Sequence, residues 1–427
     1  SPPTMYVAAG NTGAAFPYAS ISTAAAKLQT ALDVAYDGTT IYLEPGVHDL
    51  GYQAVIRYGI AINGDGDGAV VRQTYDGERV FYMNHPDARI ENIAVTGGRV
   101  VSTTSPTGVH YANDEIGCGV KVDARGGTVY NCIITNNGNK TGSYYKHGGG
   151  LGMNAGLASR CIISNNFVVT GTSHGGGAYL AGTAMLENSL VFGNRCMSNG
   201  GGIDIVSSVA TARNCTVYGN YSSSSTAGGI YWTAGTVQNC AVYGNTSAGI
   251  ANIGPAAART SASIRNCATA EGDGMDPVLC QDPQFKNAAG GDFRLKFGSD
   301  LIDNGYVYAG AGAALDLAGN TRVAEDGIDI GCYEYVVTAP ICGITIKPKT
   351  EFLAGESVNL TASVAGIADT NGLSYHWTVS DTDDTMSEAD GREASLAPSA
   401  GTYDVVVIVY RGTTAIVSNS IENALHV

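Results

Sequence analysis

NCIITNN (131–137), RCIISNN (160–166), NSLVFGN (188–194), NCTVYGN (214–220) and NCAVYGN (239–245) nearly superimpose. Their second residues, Cys132, Cys161, Ser189, Cys215 and Cys240, stand 29, 28, 26 and 25 positions apart. Asparagine follows each of them five residues later, at Asn137, Asn166, Asn194, Asn220 and Asn245. Self-similarity at a period of about 20–50 residues marks stacked supersecondary units. A second signature runs in step with the first: GGGLGM from Gly148, GGGAYL from Gly175, GGGIDI from Gly200 and GGIYW from Gly228. Each unit therefore holds at least two short alternating strands joined by tight turns, with no stretch long enough for a helix. The leucine and asparagine spacing of leucine-rich repeats is absent, which leaves a parallel β-helix.

In such a coil, equivalent side chains stack about 4.8 Å apart in columns. The cysteine column is expected to point inward with Ile134, Ile163, Val191, Val217 and Val242 two places on. The asparagines are expected to take the left-handed turn conformation and form a ladder. The glycine runs are expected to supply positive φ at a sharp corner. At about 26 residues per turn, Thr39 to Thr269 gives on the order of nine turns and a rod of about 40 Å.

The 427 residues, 44% apolar and 14% charged, describe a folded chain of two or three domains. A net charge of −15 argues against nucleic acid and anionic membranes as partners, and mildly disfavours polyanionic glycans unless a local basic patch overrides the mean. Basic residues do crowd the early coils, at Arg57, Arg72, Arg79, Arg89, Arg99, Lys121 and Arg125. Ten cysteines in this length are not a disulfide scaffold. The repeated ones read as small buried hydrophobes, while Cys332 and Cys342 are candidates for a local pair. No apolar run approaches a membrane span, and the opening SPPTMYV is not a charged and apolar leader. The chain is therefore expected to be soluble, without membrane insertion, its export signal removed or never present.

Before the coils, SISTAAAKLQTALDVAYDG offers Ser20 or Ser22 as a cap, with Ile21, Ala25, Leu28, Leu32 and Ala35 at helical spacing. This amphipathic helix is expected to plug the first coil. The stretch from Met5 through TTIYLEPGVHDL resembles the opening of right-handed β-helix proteins of the bacterial pectin-lyase-like superfamily. Farther on, DPQFKNAAGGDFRLKFGSDLIDNG, LDLAGNTR and DIGCYEY resemble the closing segment of choice-of-anchor Q surface proteins. From Ile341 the strands lengthen into a β-sandwich pattern. There YHW around Trp377 and GTYDVVVIV around Tyr403 resemble a polycystic-kidney-disease-like (PKD) or immunoglobulin-like module.

The expected fold is all-β: a right-handed parallel β-helix with an N-terminal capping helix, followed by a C-terminal β-sandwich. Residues 1–38 form the opening strand and capping helix, 39–275 the coils, 276–337 a cap on the far end, and 341–427 the sandwich. Aspartates of the closing segment, Asp282, Asp303, Asp316 and Asp329, are expected to bond turn backbones, with calcium as the alternative.

Three outward columns carry the candidate sites. Phe192, Tyr218 and Tyr243 should stack one coil apart, as should Tyr179, Asp204 and Tyr231, and flat aromatic ladders suit sugar rings. The same stacking would also stabilise neighbouring coils with nothing bound. His147, His174 and Asn199 each precede a glycine run, where two imidazoles beside Tyr144, Tyr145 and Lys146 suit acid–base or metal chemistry, or a plain corner ladder. The family resemblance implies, for a lyase, a basic residue plus calcium or a second cation. Lys121, Arg125 and Lys146 are the cations to test, with Tyr144, Tyr145, His147 and His174. The paired-aspartate and Gly-His-Gly pattern of polygalacturonases is not found, nor are the motifs of pectate lyases or pectin methylesterases. The expected function is a secreted or cell-surface, non-catalytic bacterial protein that binds glycan or assembles into a fibre or layer. The alternative is a polysaccharide lyase or glycoside hydrolase.

Overall fold

The computed structural model describes residues 4–66, 68–100, 116–139, 146–169, 171, 173–224, 226–254, 263–270, 282–323, 327–336, 341–347, 357–365, 367, 372–381, 386–397, 401–411 and 413–426. Two compact units divide the chain, Ser1–Glu334 and Tyr335–Val427.

The first unit is a parallel β-helix. Three long parallel sheets run along it, and the chain visits them in rotation. Sheet I has ten strands, from Thr4–Val7 to Ile264–Arg265. Sheet II has nine, from Gly46–Leu50 to Ala268–Thr269. Sheet III has eight, from Ala54–Ile56 to Ile253–Gly254. Strands of three residues are typical, because each side of the coil spans only three side chains that alternate inward and outward. The core is a continuous file of inward residues, in which Ile134, Ile163, Val191, Val217 and Val242 are fully buried.

The cysteine column points inward, and Cys132, Cys161, Cys215 and Cys240 are free thiols. Cys132, Cys215 and Cys240 each donate 3.2 Å bonds to the carbonyl two residues earlier, and Ser189 does the same at 2.6 Å. Burial pushes the Cys161 thiol up to about 12, so this column is inert filler.

Left-handed backbone does not fall on the seventh-position asparagine, where the sequence suggested it. It belongs to the first residue of each motif copy, Asn131, Arg160, Asn188, Asn214 and Asn239, and to the sixth, Asn136, Asn165, Gly193, Gly219 and Gly244. The seventh residue forms the ladder instead. Asn137, Asn166, Asn194, Asn220 and Asn245 are buried, each donating to the next carboxamide oxygen or to that of Asn252. First-position residues make a second ladder, Asn63–Asn92–Asn131 and Asn188–Asn214–Asn239, broken where Arg160 stands.

The opening helix is shorter than the apolar spacing suggested. A 3-10 turn covers Ile21–Thr23 and an α-helix only Leu28–Leu32. Leu28 and Ala31 are buried against the first strands, whereas Ile21 is 55% exposed.

The described residues of the closing segment pack on the flank of the coils, where the sequence suggested a cap on the far end. Gly331 N–H donates to Asn239 O, Cys332 N–H to Thr216 Oγ1, and Asn214 Nδ2 to the Tyr308 hydroxyl. The flank offered unpaired turn polar groups and an aromatic column, and the segment satisfies both. Its aspartates serve turns: Asp282 accepts from Gln284 N, Asp316 from Asn320 N and Glu334 N, and Asp329 from Asp303 N. Among the described residues no cluster of three or more His, Cys, Asp or Glu has metal-binding geometry.

The second unit packs a three-stranded antiparallel sheet on a four-stranded one. Trp377, Val379, Tyr403, Val405 and Val407 of one sheet meet Val358, Leu360 and Ala394 of the other in a shared core. Cys342 is a free thiol in this unit and Cys332 a free thiol in the other, so the expected local pair does not form.

Candidate functional site

The aromatic column expected to receive sugar is covered. Phe192, Tyr218 and Tyr243 do stand in register on sheet II. Phe293 lies 5.9 Å from Phe192 and 5.0 Å from Tyr218, and Phe285 lies 6.4 Å from Tyr243. Both covering rings come from the hairpin Phe285–Asn287 and Asp292–Leu295 of the closing segment. The rings form an internal aromatic seam that seals the segment onto the coil.

Sheet III carries a different column, whose tyrosines stay half-buried. Register aligns Tyr82, Lys121, Gly152, Tyr179, Asp204 and Tyr231 at the outward place of successive strands. Beside it, at the corner that leads into each glycine run, the backbone aligns Ile116, His147, His174 and Asn199. The two columns touch. His147 stacks on the Tyr179 ring at 4.6 Å and meets His174 edge-on at 4.9 Å. His174 Nδ1 is hydrogen-bonded to Asp204 Oδ2 at 2.7 Å, and Asn199 Nδ2 approaches the same nitrogen at 3.3 Å.

Asp204 thus holds the outward strand position but is fully buried, contrary to the expected exposed acceptor of sugar hydroxyls. Short strands and a glycine corner let the histidine column lean over it. Burial raises its carboxyl above the ordinary carboxylate range, while His174 pulls it back down. Its second oxygen, Oδ1, and His147 Nδ1 are buried without a hydrogen-bond partner. Two orphaned polar atoms in one cluster are costly, and such costs concentrate at functional sites. Burial and the neighbouring His174 lower His147 to about 4, and burial with Asp204 raises the Tyr179 phenol.

Lys121 is buried in the same column, 3.7 Å from Asp123 and 5.7 Å from the Tyr82 ring centre. Asp123 also accepts from the Tyr82 hydroxyl at 2.6 Å and from Asn154 at 3.0 Å. Arg125 is exposed in the following turn. The Lys146 backbone pairs with Ser173, but its side chain, with Tyr144 and Tyr145, lies outside the described residues. Tyr82, Asp123 and Asn154 escape the sequence reading, because the strand of Tyr82 lacks the glycine-led signature, Asp123 and Asn154 stand one residue past their strands, and only register brings the three together.

Burial of the His147 ring ties the stability of the coil to pH. In the unfolded chain a histidine binds its proton near 6.5, in the folded chain only near 4. The folded state therefore carries fewer protons between these values, and its stability is full above pH 6.5 and falls as pH drops toward 4. The linkage amounts to about 3 kcal/mol. Asp204, raised by burial, works in the opposite direction over part of that window, and His174 and Tyr179 face the ring as well. The expected result is accordingly a difference: His147→Phe, which keeps the stack on Tyr179, flattens the acid side of the stability profile relative to wild type. Urea unfolding at pH 7.5 and 4.5 checks it, and parallel profiles would refute it.

No family model matches this chain, and no curated protein matches it. Among solved structures, a crystal structure of pectate lyase Pel9A is similar, with 15% identity and a TM-score of 0.41, over 78% of this chain and 96% of that one.

Proposed function

We propose that this chain is a secreted or cell-surface bacterial protein that binds polysaccharide along the outward face of sheet III without cleaving it. One observation carries the reading: the in-register column Tyr82–Lys121–Gly152–Tyr179–Asp204–Tyr231, flanked by His147 and His174. Half-buried phenol rings at Tyr82, Tyr179 and Tyr231, three and two coils apart on one face, suit pyranose rings of a chain laid along the coils, and the His147–His174–Asp204 cluster holds the Tyr179 ring in place. Resemblance of the closing segment to choice-of-anchor Q proteins, and of the sandwich to PKD-like spacer modules, supports a surface location. Self-association into a fibre or layer is compatible with this role. Neither nucleic acid nor membrane insertion belongs to it.

Binding of a panel of extracellular polysaccharides, followed by calorimetry, tests the reading. Tyr179→Ala and Tyr231→Ala are each expected to weaken binding about tenfold, the scale of one aromatic stacking contact. Tyr218→Ala, whose ring lies under Phe293, should lower stability and leave binding unchanged. Loss of binding in Tyr218→Ala alone, or no binding at all, would sink the proposal.

The His174–Asp204 bond favours a second reading, a lyase. With Nδ1–H donating to Asp204, Nε2 of His174 is the ring's free basic atom and can take a proton adjacent to a uronate carboxylate. Unsaturated product absorbing in the ultraviolet, abolished by His174→Ala, would establish this reading over the first.

A further inference from the structure

On the other flank, the closing segment leaves an open groove of about 790 Å³ beside the corner between sheets I and II. Tyr306 and Tyr308 of the segment bond Asn239 and Asn214, covering the later half of the corner asparagine ladder. The earlier half, including Asn92 and Asn131, lines the groove with Arg160, Arg294, Ile133 and Tyr333.

The groove exists because the ladder is interrupted. Arg160 stands, with φ 56°, where the neighbouring coils hold Asn131 and Asn188. Its guanidinium turns aside to donate to the Tyr130 hydroxyl at 2.8 Å and weakly to Leu317 O at 3.4 Å. Its Nε is buried with no hydrogen-bond partner. Asn131, which donates back to Asn92, thus meets no carboxamide in the next coil. Arg294 closes the opposite wall, held in a two-point pair with Asp292. Ile133, 44% exposed, gives an apolar floor, while Gly66, Gly68 and Gly291 leave open space where side chains would stand.

Two guanidiniums against one carboxylate give this groove a single net positive charge within a strongly acidic chain. Its volume falls in the range that encloses a small ligand. We propose that the groove is a second binding site, separate from sheet III, for one terminal sugar-acid residue bearing a single carboxylate. Arg160 and Arg294 take the carboxylate, the asparagine carboxamides take hydroxyls, and Ile133 takes the ring face. A polyuronate chain, by contrast, would place many uncompensated charges against a surface of net −15.

The test uses the full chain and three probes: a disaccharide ending in glucuronic acid, its neutral glucose counterpart, and a polyuronate. Calorimetry should find the acidic disaccharide bound at least about tenfold more tightly than either other probe, the scale of one charge-assisted bond. Arg160→Asn restores the ladder residue, so it should retain or raise the melting temperature while losing binding at least tenfold. Arg294→Ala, which leaves the Arg160 contacts to Leu317 intact, should also weaken binding. Equal binding of neutral and acidic probes, tighter binding of polyuronate, wild-type affinity in a folded Arg160→Asn, or no binding would each overturn the proposal. Tyr231→Ala should leave this signal untouched, and its loss there would assign the binding to sheet III.

Discussion

Replacing Asn194 by alanine is expected to destabilise the β-helix by about 4 kcal/mol, a large loss for a single polar side chain. The Asn194 carboxamide oxygen accepts from Asn166 N at 2.9 Å and Asn166 Nδ2 at 3.0 Å. Its nitrogen donates to Ile163 O, Phe192 O and Asn220 Oδ1 at 2.9, 3.2 and 2.9 Å. Truncation strips partners from a buried backbone N–H and from carbonyls that water cannot reach, each costing about 1–3 kcal/mol. Aspartate is expected to be worse at neutral pH. It keeps the acceptor but turns the donor into a second oxygen facing three oxygens, with a charge in a dry corner. The order wild type, alanine, aspartate in urea midpoint checks this account. An aspartate variant as stable as wild type would mean the ladder is wet and the side chain a simple turn residue.

How far the sequence could be read follows from what each residue type encodes. A period of 25 to 29 with an apolar residue two places after cysteine reports the inward file, since side-chain direction along a strand is fixed by the pleat. The repeat thus predicted the coil and its core. It could not report what lies on top of an outward residue, because covering groups come from a distant part of the chain. Phe285 and Phe293 are roughly 40 to 100 positions from the rings they seal, and nothing near Tyr218 announces them. Asp204 shows the same limit at shorter range: its outward place was legible, but its burial depends on His174, which is 30 residues earlier. Arg160 is the opposite case. RCIISNN departs visibly from its sister copies at the first residue, and that departure marks the broken ladder and the groove. A substitution inside a strict column carries more functional information than the column does.

The glycine runs lead to the second large expected effect, in which Gly201→Ala prevents stable folding of the coil or costs about 3 kcal/mol or more. Positive φ explains only the first glycine of the three-glycine runs, with φ 67° at Gly148, 61° at Gly175 and 64° at Gly200. Gly201 is not in the left-handed region; its constraint is space. A Cβ there would stand 2.5 Å from Gly228 O in the next coil and closer still to Tyr221 O, and backbone on both sides cannot swing away as a side chain could. The third glycine meets the ladder, since Cβ atoms at Gly150, Gly177 and Gly202 would fall 2.7, 2.8 and 2.9 Å from the Nδ2 of Asn166, Asn194 and Asn220. Glycine runs and ladder asparagines are thus two halves of one corner, each shaped by the other. Gly219→Asn provides the contrast. Gly219 has φ 63° with open space around its Cβ position, and asparagine already occupies the equivalent turn at Asn136 and Asn165. That variant is expected to stay within about 0.5 kcal/mol of wild type, the usual span for a tolerated surface change. If both variants unfold alike in urea, close approach does not constrain Gly201, and the coupling between glycine corner and asparagine ladder fails with it.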